Sequence, residues 1–360
     1  MAKTSLSGLD QFVRALGDEP VWIGVDVHKE TYSASLVSTC GARRTWSCRA
    51  DPDGFVKQLM GFGVSIALVA HEAGPTGFAL ARCLEKAGLP ALVAAPSRIP
   101  RPVTAGAKTD SLDSLKLAEL AMGGQLRPIT IPTEAEEAQR SLIRRIDQIG
   151  REVRRTKQRI KSLLLEFGLE EPKGLKNWSK KSVSALKKIK SPGGVALAFG
   201  SHLRELEWHI GERNRVMEEL KKVLKRAGLL DRVRKLRSAP GVGPLTAQTF
   251  CLEVFRPERF ARGEELTSYL GLAPMIRHSG SGQKRAYIRP VGQKRLRSLL
   301  IEAAWVWVRK DEHAAAIYRR LVSKSGVAQK EITALARRLA VILWRMCLEN
   351  REYRPGVSAV

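Results

Sequence analysis

VWIGVDVH (Val21 to His28) and TYSASLVS (Thr31 to Ser38) decide the fold class of this 360-residue chain. Apolar residues largely alternate in both stretches, and the residue types favour extended backbone, so two adjacent strands are predicted. A break at Cys40 to Ala42 leads to a third strand, Arg44 to Arg49. Asp51-Pro-Asp-Gly54 then turns the chain into a helix near Phe55. SIALVA (Ser65 to Ala70) is a continuous apolar run of the kind buried in a sheet. Thr76 to Ala87 reads as a helix ending at Gly88, Ala91 to Ala95 as a strand, and Asp110 to Met122 as a helix ending at Gly123-Gly124. Three strands, helix, strand, helix, strand, helix is the order of a ribonuclease-H-like α/β domain.

Past Pro132 the pattern changes. Glu134 to Phe167 repeats apolar positions at helical spacing among many charges, with Gly150 as its only Gly or Pro. A second long helix, about Ser201 to Ala227, could pair with it as a coiled-coil arm, with residues 168–200 as a linker or small helical insertion. Helices near Leu245 to Val254, Gly292 to Arg309 and Val327 to Leu348 make a compact helical remainder. The expected organisation is a leader (1–20), an α/β domain (21–130), a basic helical arm (131–230), a helical C-terminal domain (231–350) and a tail (351–360).

Composition narrows the function. Lys and Arg number 62 against 36 Asp and Glu, a formal charge of +26. Residues 1–140 hold 15 basic and 15 acidic side chains, 141–240 hold 26 and 11, and 241–360 hold 21 and 10. The whole excess therefore lies after residue 140, where clustered cations such as Arg154, Arg155, Lys187 and Lys188 suit a polyanion. No stretch approaches the roughly 20 apolar residues of a membrane span, and the first twenty residues lack signal-peptide order, so a cytoplasmic, nucleoid-associated protein is expected. Five scattered cysteines (Cys40, Cys48, Cys83, Cys251, Cys347) form no close pair. They read as buried thiols rather than as a zinc site or a disulfide framework.

Four acids carry the chemistry. Asp26 is a charge inside an otherwise apolar strand, costly there unless a metal or partner compensates it. Glu72 follows SIALVA, where Gly74 and Gly77 leave room for close approach. Asp110 and Asp113 stand three apart at a helix start, on one face. Singly, Asp110 reads as a helix N-cap, Asp113 as a complement to the helix dipole, and Glu72 and Asp26 as ion-pair partners. Jointly they make a carboxylate set for hard divalent ions, Mg2+ or Mn2+, of the kind two-metal phosphoryl transfer uses.

The same residues resemble a known family. GVDVHKE (Gly24 to Glu30), EAGPTG (Glu72 to Gly77) and KTDSLDSLKLAEL (Lys108 to Leu120) are similar to motifs of the DEDD transposases of insertion-sequence family 110, relatives of the Piv invertases with a RuvC-like catalytic domain. SAPGVGPLTAQTF (Ser238 to Phe250), SYLGLAP (Ser268 to Pro274), HSGSGQKR (His278 to Arg285) and RLRSLLIEAAW (Arg295 to Trp305) resemble that family's C-terminal transposase domain. The resemblance implies that Asp26, Glu72, Asp110 and Asp113 bind magnesium. It also implies a serine nucleophile mapping best onto Ser279, with Ser281 as rival because His278-Ser279-Gly280-Ser281 departs from the family's paired serines. Arg277, Lys284 and Arg285 surround that serine in sequence, as a phosphate site requires. The family further implies a structured bridge RNA that pairs with donor and target DNA. Independently of the resemblance, an oligomer, dimer or tetramer, is expected because recombination must hold two DNA duplexes, and a composite active site completed between protomers because Asp26 and Ser279 lie in different domains.

Smaller signals point the same way. Ala239 to Pro244 resembles the hairpin of a helix-hairpin-helix element, in which Gly241 and Gly243 let backbone N–H groups approach phosphate, although a plain tight turn reads equally well. Lys294, Arg295, Arg297, Arg309 and Lys310 are candidate backbone contacts, or simply the wet face of a helix. Trp305, Trp307 and Trp344 read as core. His28 and His278 flank proposed catalytic residues and could assist proton transfer. The rival functions are a metal-dependent nuclease or junction resolvase that uses the acids alone, and a non-catalytic nucleic-acid-binding protein that keeps the fold.

Overall fold

Alternation along Val21–Val27 divides its side chains between two faces, and the rest of the N-terminal unit is built on that division. The computed structural model describes residues 6–100, 110–191, 193–277, 285–288 and 291–356. They fall into two compact units, 1–131 and 132–360.

The first unit contains α1 (Leu6–Arg14), β1 (Val21–Val27), β2 (Thr31–Ser38), β3 (Arg43–Arg49), α2 (Pro52–Gly61), β4 (Ile66–Glu72), α3 (Ala79–Lys86), β5 (Ala91–Ala94) and α4 (Asp110–Met122). Its five-stranded sheet has the order β3-β2-β1-β4-β5. β1 pairs antiparallel with β2 and parallel with β4. Odd-numbered β1 residues Val21, Ile23 and Val25 join Val69, Phe55, Leu59, Leu80 and Leu84 in a core under α2 and α3. Trp22 of β1 joins Leu68, Ala70, Leu92 and Ala94 in a second core with Leu117 and Ala121 of α4 on the opposite face. The expected leader is part of this unit: Leu9 and Val13 of α1 are buried in the first core. An amphipathic turn of helix covers the sheet there, a signal too short to stand out from sequence.

The second unit begins with a 33-residue helix, α5 (Glu134–Glu166), opened by a capping box between Thr133 and Glu136. α6 (Lys180–Leu186) follows, then α7 (Gly193–Arg226), α8 (Leu230–Leu236), α9 (Pro244–Val254) and α10 (Gly263–Leu270). A hairpin of β6 (Pro274–Arg277) and β7 (Arg285–Ile288) precedes α11 (Lys294–Lys310), α12 (Glu312–Ser325) and α13 (Ala328–Leu348). α5 and α7 pack along each other through Ile149, Val153, Ile160, Phe199, Leu203 and Leu206. One boundary needs correction: α7 starts at Gly193 rather than near Ser201. Of the two readings of residues 168–200, the small helical insertion is the one present, since the segment holds α6, with Leu175 and Leu186 buried in the arm's core. The arm is also not separate from the C-terminal helices. Buried Glu253 of α9 accepts hydrogen bonds from Arg140 (3.1 Å) and Arg144 (2.9 and 3.0 Å) of α5, and Leu252 packs on Ile143 and Ile146.

Trp307 and Trp344 are core residues, as expected, but Trp305 is exposed and meets Tyr318 edge-on. Of the cysteines only Cys251 and Cys347 are buried; Cys40 is exposed, and Cys48 and Cys83 are half-buried. Burial pushes the Cys251 thiol up to about 11. Among the described residues no helix is long and apolar enough to cross a membrane.

The expected tail is tied down as far as Tyr353. Its backbone N–H donates to Ser238 Oγ (2.8 Å), Trp307 Nε1–H donates to its Oη (3.0 Å), and its hydroxyl donates to Asp311 Oδ2 (2.9 Å). Burial first, then Asp311, raises the Tyr353 phenol to about 12. A folded pKa above the unfolded value of 10.0 means stability that is whole below pH 10 and lost as pH rises from there toward 12. Urea midpoints are expected to fall across that window, and Tyr353→Phe should flatten the fall; an unchanged slope in the variant would reject the assignment.

Candidate active site

Gly24 determines how the site is assembled. A Cβ on it would sit far inside contact distance of Ser114 O and Ala118 N, so the backbone of α4 lies directly on β1 at this residue. Only glycine permits that approach. Ser35, opposite Gly24 across the β1–β2 pairing, hydrogen-bonds through Oγ to Ser114 Oγ (2.8 Å) and Thr45 Oγ1 (2.8 Å). This buried hydroxyl chain fixes the first turns of α4 against β2 and β3.

The acids follow from parity. Asp26 lies two residues beyond Gly24 and therefore on the same, α4-facing side of β1. Glu72 stands on that side of β4, two residues beyond Ala70, one of the residues packed against α4. The last register pair, Val25 with His71, is followed on each strand by one of these acids, so Asp26 and Glu72 end neighbouring strands together. Asp113 precedes Ser114 in the first turn of α4, and Leu117 and Ala121 carry the helix on toward Trp22 at the other end of β1. Three acids remote in sequence thus share one face at one end of the sheet. Asp110 is the first residue of α4, and its side chain lies outside the described set.

Asp26 is 23% exposed, and its Oδ2 is 3.1 Å from His28 Nε2. As the side chains stand, no three His, Cys, Asp or Glu among the described residues form a group able to hold a metal ion. The fold sets the acids on one edge without drawing them into a closed cluster. His71 points to the opposite face, where burial lowers its pKa and Nδ1–H donates to Glu72 O (3.1 Å). The room anticipated at Gly74 and Gly77 is not what brings backbones together: Gly77 is in the left-handed region (φ +75°) with open space around it, and the close approach belongs to Gly24. A glycine in the middle of an apolar strand is the signal that could have found it.

In the second unit, Ser279, its rival Ser281, His278 and Lys284 lie outside the described residues. Arg277 and Arg285 face each other at the end of the β6–β7 pairing, with side chains outside the described set. The base of this hairpin is closed by two glycines and an arginine. Gly271 (φ +69°) and Gly292 (φ +76°) are packed so tightly that a Cβ on Gly292 would lie 2.6 Å from Tyr269 O and 2.7 Å from Gly271 N. Arg297 Nη1 donates to the carbonyls of Val291 (2.7 Å), Gly271 (3.2 Å) and Leu270 (3.4 Å). Arg297, expected to contact nucleic acid, is thus engaged within the fold. Arg297→Met is expected to cost about 2 kcal/mol by stranding those carbonyls. A denaturation midpoint within about 0.5 kcal/mol of the parent would reject the clasp.

Two other expected contacts change role. Gly241 (φ +86°) packs on the backbone of α11 at Ala303 and Trp307, so its freedom serves a protein contact, whereas Gly243 caps α9 with open space beside it. Arg295 is mostly enclosed, donating to Ile143 O (2.9 Å) and pairing with Asp147 (3.3 Å), and burial pulls it down to about 10. Lys294 and Arg154 are exposed, and Arg155 pairs with Glu152 (2.7 Å).

Comparison with known proteins agrees from both ends of the chain. A family model for DEDD transposases of the IS110 type matches residues 23–168, and a model described as the transposase IS116/IS110/IS902 family matches residues 233–319. A Sinorhizobium fredii protein whose name, y4qE, carries the word transposase is 27% identical over 94% of this chain and 92% of its own length. The transposase for insertion sequence element IS1111A of Coxiella burnetii is 24% identical over 93% and 91%, and that for IS1533 of Leptospira borgpetersenii is 28% identical over 79% and 84%. The chain belongs to the IS110-type DEDD transposases. It is a transposase, an enzyme that acts on DNA.

Proposed function

We propose that this transposase cuts and rejoins DNA strands with a divalent-metal site made by Asp26, Glu72, Asp110 and Asp113 and with Ser279 as nucleophile. The observation that carries the reading is the shared edge: Asp26, Glu72 and Asp113 stand on one face at one end of a sheet whose strand order, β3-β2-β1-β4-β5, suits a ribonuclease-H-like domain. Their donor set is all carboxylate oxygen, which fits Mg2+ or Mn2+. A bound divalent ion would neutralise charge developing on the phosphoryl oxygens. The residues of this chain then do the rest. Asp26 and Glu72 hold their carboxylates at adjacent strand ends, the Gly24 contact fixes α4 and with it Asp113, and His28 stands 3.1 Å from Asp26, ready to orient it or to take a proton.

The serine step is an exchange of phosphate esters. Ser279 Oγ forms a bond to phosphorus, the bond from that phosphorus to one deoxyribose oxygen breaks, the serine proton passes to a base, and the released deoxyribose oxygen gains a proton. The reverse exchange with a second strand end rejoins DNA without an external energy source. A structured bridge RNA supplies sequence choice in this reading, leaving the protein to hold backbone and helix shape. Because recombination must hold two duplexes, a homo-oligomer in the cytoplasm is part of the same proposal.

The test is capture of the covalent adduct. Denaturing a reaction of full-length protein with donor DNA should leave protein attached to a strand, and peptide mapping should place the link on Ser279. An adduct on Ser281 would move the nucleophile. Ser279→Ala that still completes strand exchange would leave the acids acting alone, as in a nuclease or resolvase.

A further inference from the structure

The insertion between the two arm helices presents a surface unlike the helices that carry it. From Pro172 to Lys190 the sequence contains seven lysines (Lys173, Lys176, Lys180, Lys181, Lys187, Lys188, Lys190) and no acid. All seven are exposed. Their scaffold is nonetheless fixed: Leu175 and Leu186 are buried in the arm's core, and Ser179 caps α6 by accepting from the Ser182 N–H (3.2 Å). Gly174 and Trp178 take left-handed backbone to fold the segment back, and Lys157 of α5 lies over the Trp178 ring at 4.9 Å.

On the arm helices, by contrast, nine of the sixteen basic residues are in ion pairs among the described residues, several within their own helix: Arg155 with Glu152, Arg215 with Glu212, Lys221 with Glu218, Lys222 with Glu219. Among the described residues only Lys187 of the seven makes an ion pair, with Glu207 (2.6 Å). Seven like charges held on a folded lobe repel one another, and a polyanion relieves that repulsion. Lysine is a point charge suited to phosphate rather than to base edges. The lobe's one aromatic residue, Trp178, is only partly exposed and covered by Lys157, so the surface lacks the stacking platform that unpaired bases need.

We propose that this lysine lobe is a docking surface for the phosphate backbone of duplex DNA, independent of the carboxylate site and of sequence readout. It holds the duplex to the arm while catalysis proceeds elsewhere in the chain.

Salt dependence tests it directly, because each phosphate contact contributes about 0.9 to the slope of log affinity against log salt. Full-length protein with Lys173, Lys176, Lys180, Lys181, Lys188 and Lys190 changed to Gln would be titrated with a random-sequence duplex of about 40 base pairs between about 50 and 200 mM salt. The slope is expected to fall by about two units or more, with no such fall in K221Q/K222Q, whose lysines are already paired, and with recovery in the matching Lys→Arg variant. A smaller fall, or an equal one in K221Q/K222Q, overturns the proposal. Amine acetylation of the unmodified protein gives a reading independent of variant folding: the duplex should protect the six lysines more than Lys221 and Lys222. Absence of that protection overturns the proposal. Protection by an RNA hairpin but not by duplex DNA overturns the choice of DNA.

Discussion

Asp26→Asn is expected to reduce DNA strand cleavage about a thousand-fold or more while leaving the fold intact. Asn keeps the shape and hydrogen-bonding reach of the carboxylate but removes its charge. Metal assistance to phosphoryl transfer is worth several kcal/mol, and each 1.36 kcal/mol is a factor of about ten in rate. The side chain is 23% exposed at the end of β1, so neutralising it takes little from the core. A second readout separates chemistry from metal binding. Mg2+ should raise the melting temperature of the parent protein, since an ion that binds only the folded state stabilises it by mass action, and the rise should shrink in the variant. Near-parental cleavage by Asp26→Asn would remove the metal-site proposal, whatever becomes of Ser279.

Gly24→Ala carries the second large effect, through packing. The added methyl would collide with the α4 backbone at Ser114 O and Ala118 N, atoms that cannot swing aside as a side chain does. α4 must lift or tilt, which loosens the core around Leu117 and Ala121 and breaks the alignment of Ser114 Oγ with Ser35 Oγ. Overpacking of this kind costs about 3 kcal/mol, and more where backbone is the obstacle. The urea midpoint should fall accordingly, and cleavage should fall further than stability explains because Asp113 travels with α4. Gly211→Ala is the control. Gly211 lies inside α7 with nothing within 4 Å of where a methyl would stand, so alanine there should stabilise by about 1 kcal/mol. Equal stability of Gly24→Ala and the parent would mean that α4 does not rest on β1 as described.

How much was legible in the sequence varies with the range of the interaction that decides each feature. The alternation in Val21–Val27 and the apolar run before Glu72 carry the strands because side-chain period is a local property. The change of pattern past Pro132 shows where the long helix starts, because helical spacing is local too; the capping box of Thr133 and Glu136 that opens it is seen in the structure. α6 was less sharply visible: a small helical insertion was one of two readings of residues 168–200, and what selects it is burial of Leu175 and Leu186 in the core shared by α5 and α7. Arg297 illustrates the same limit at the level of function. Its guanidinium looked available for phosphate, yet it clasps three carbonyls brought together by the close packing of Gly271 on Gly292.

By itself the sequence determined the strand and helix order from β1 to α4, the confinement of excess positive charge to the chain after residue 140, and the identity of the acids offered as ligands, because period, composition and motif are properties of neighbouring residues. Tertiary structure alone decided that α4 descends onto β1 at Gly24, that Asp26, Glu72 and Asp113 share one edge, and that Arg295 and Arg297 are engaged within the fold. Such facts depend on which backbones come within a few ångströms of each other. That proximity is set by the packing of segments far apart in the chain, which no local pattern encodes.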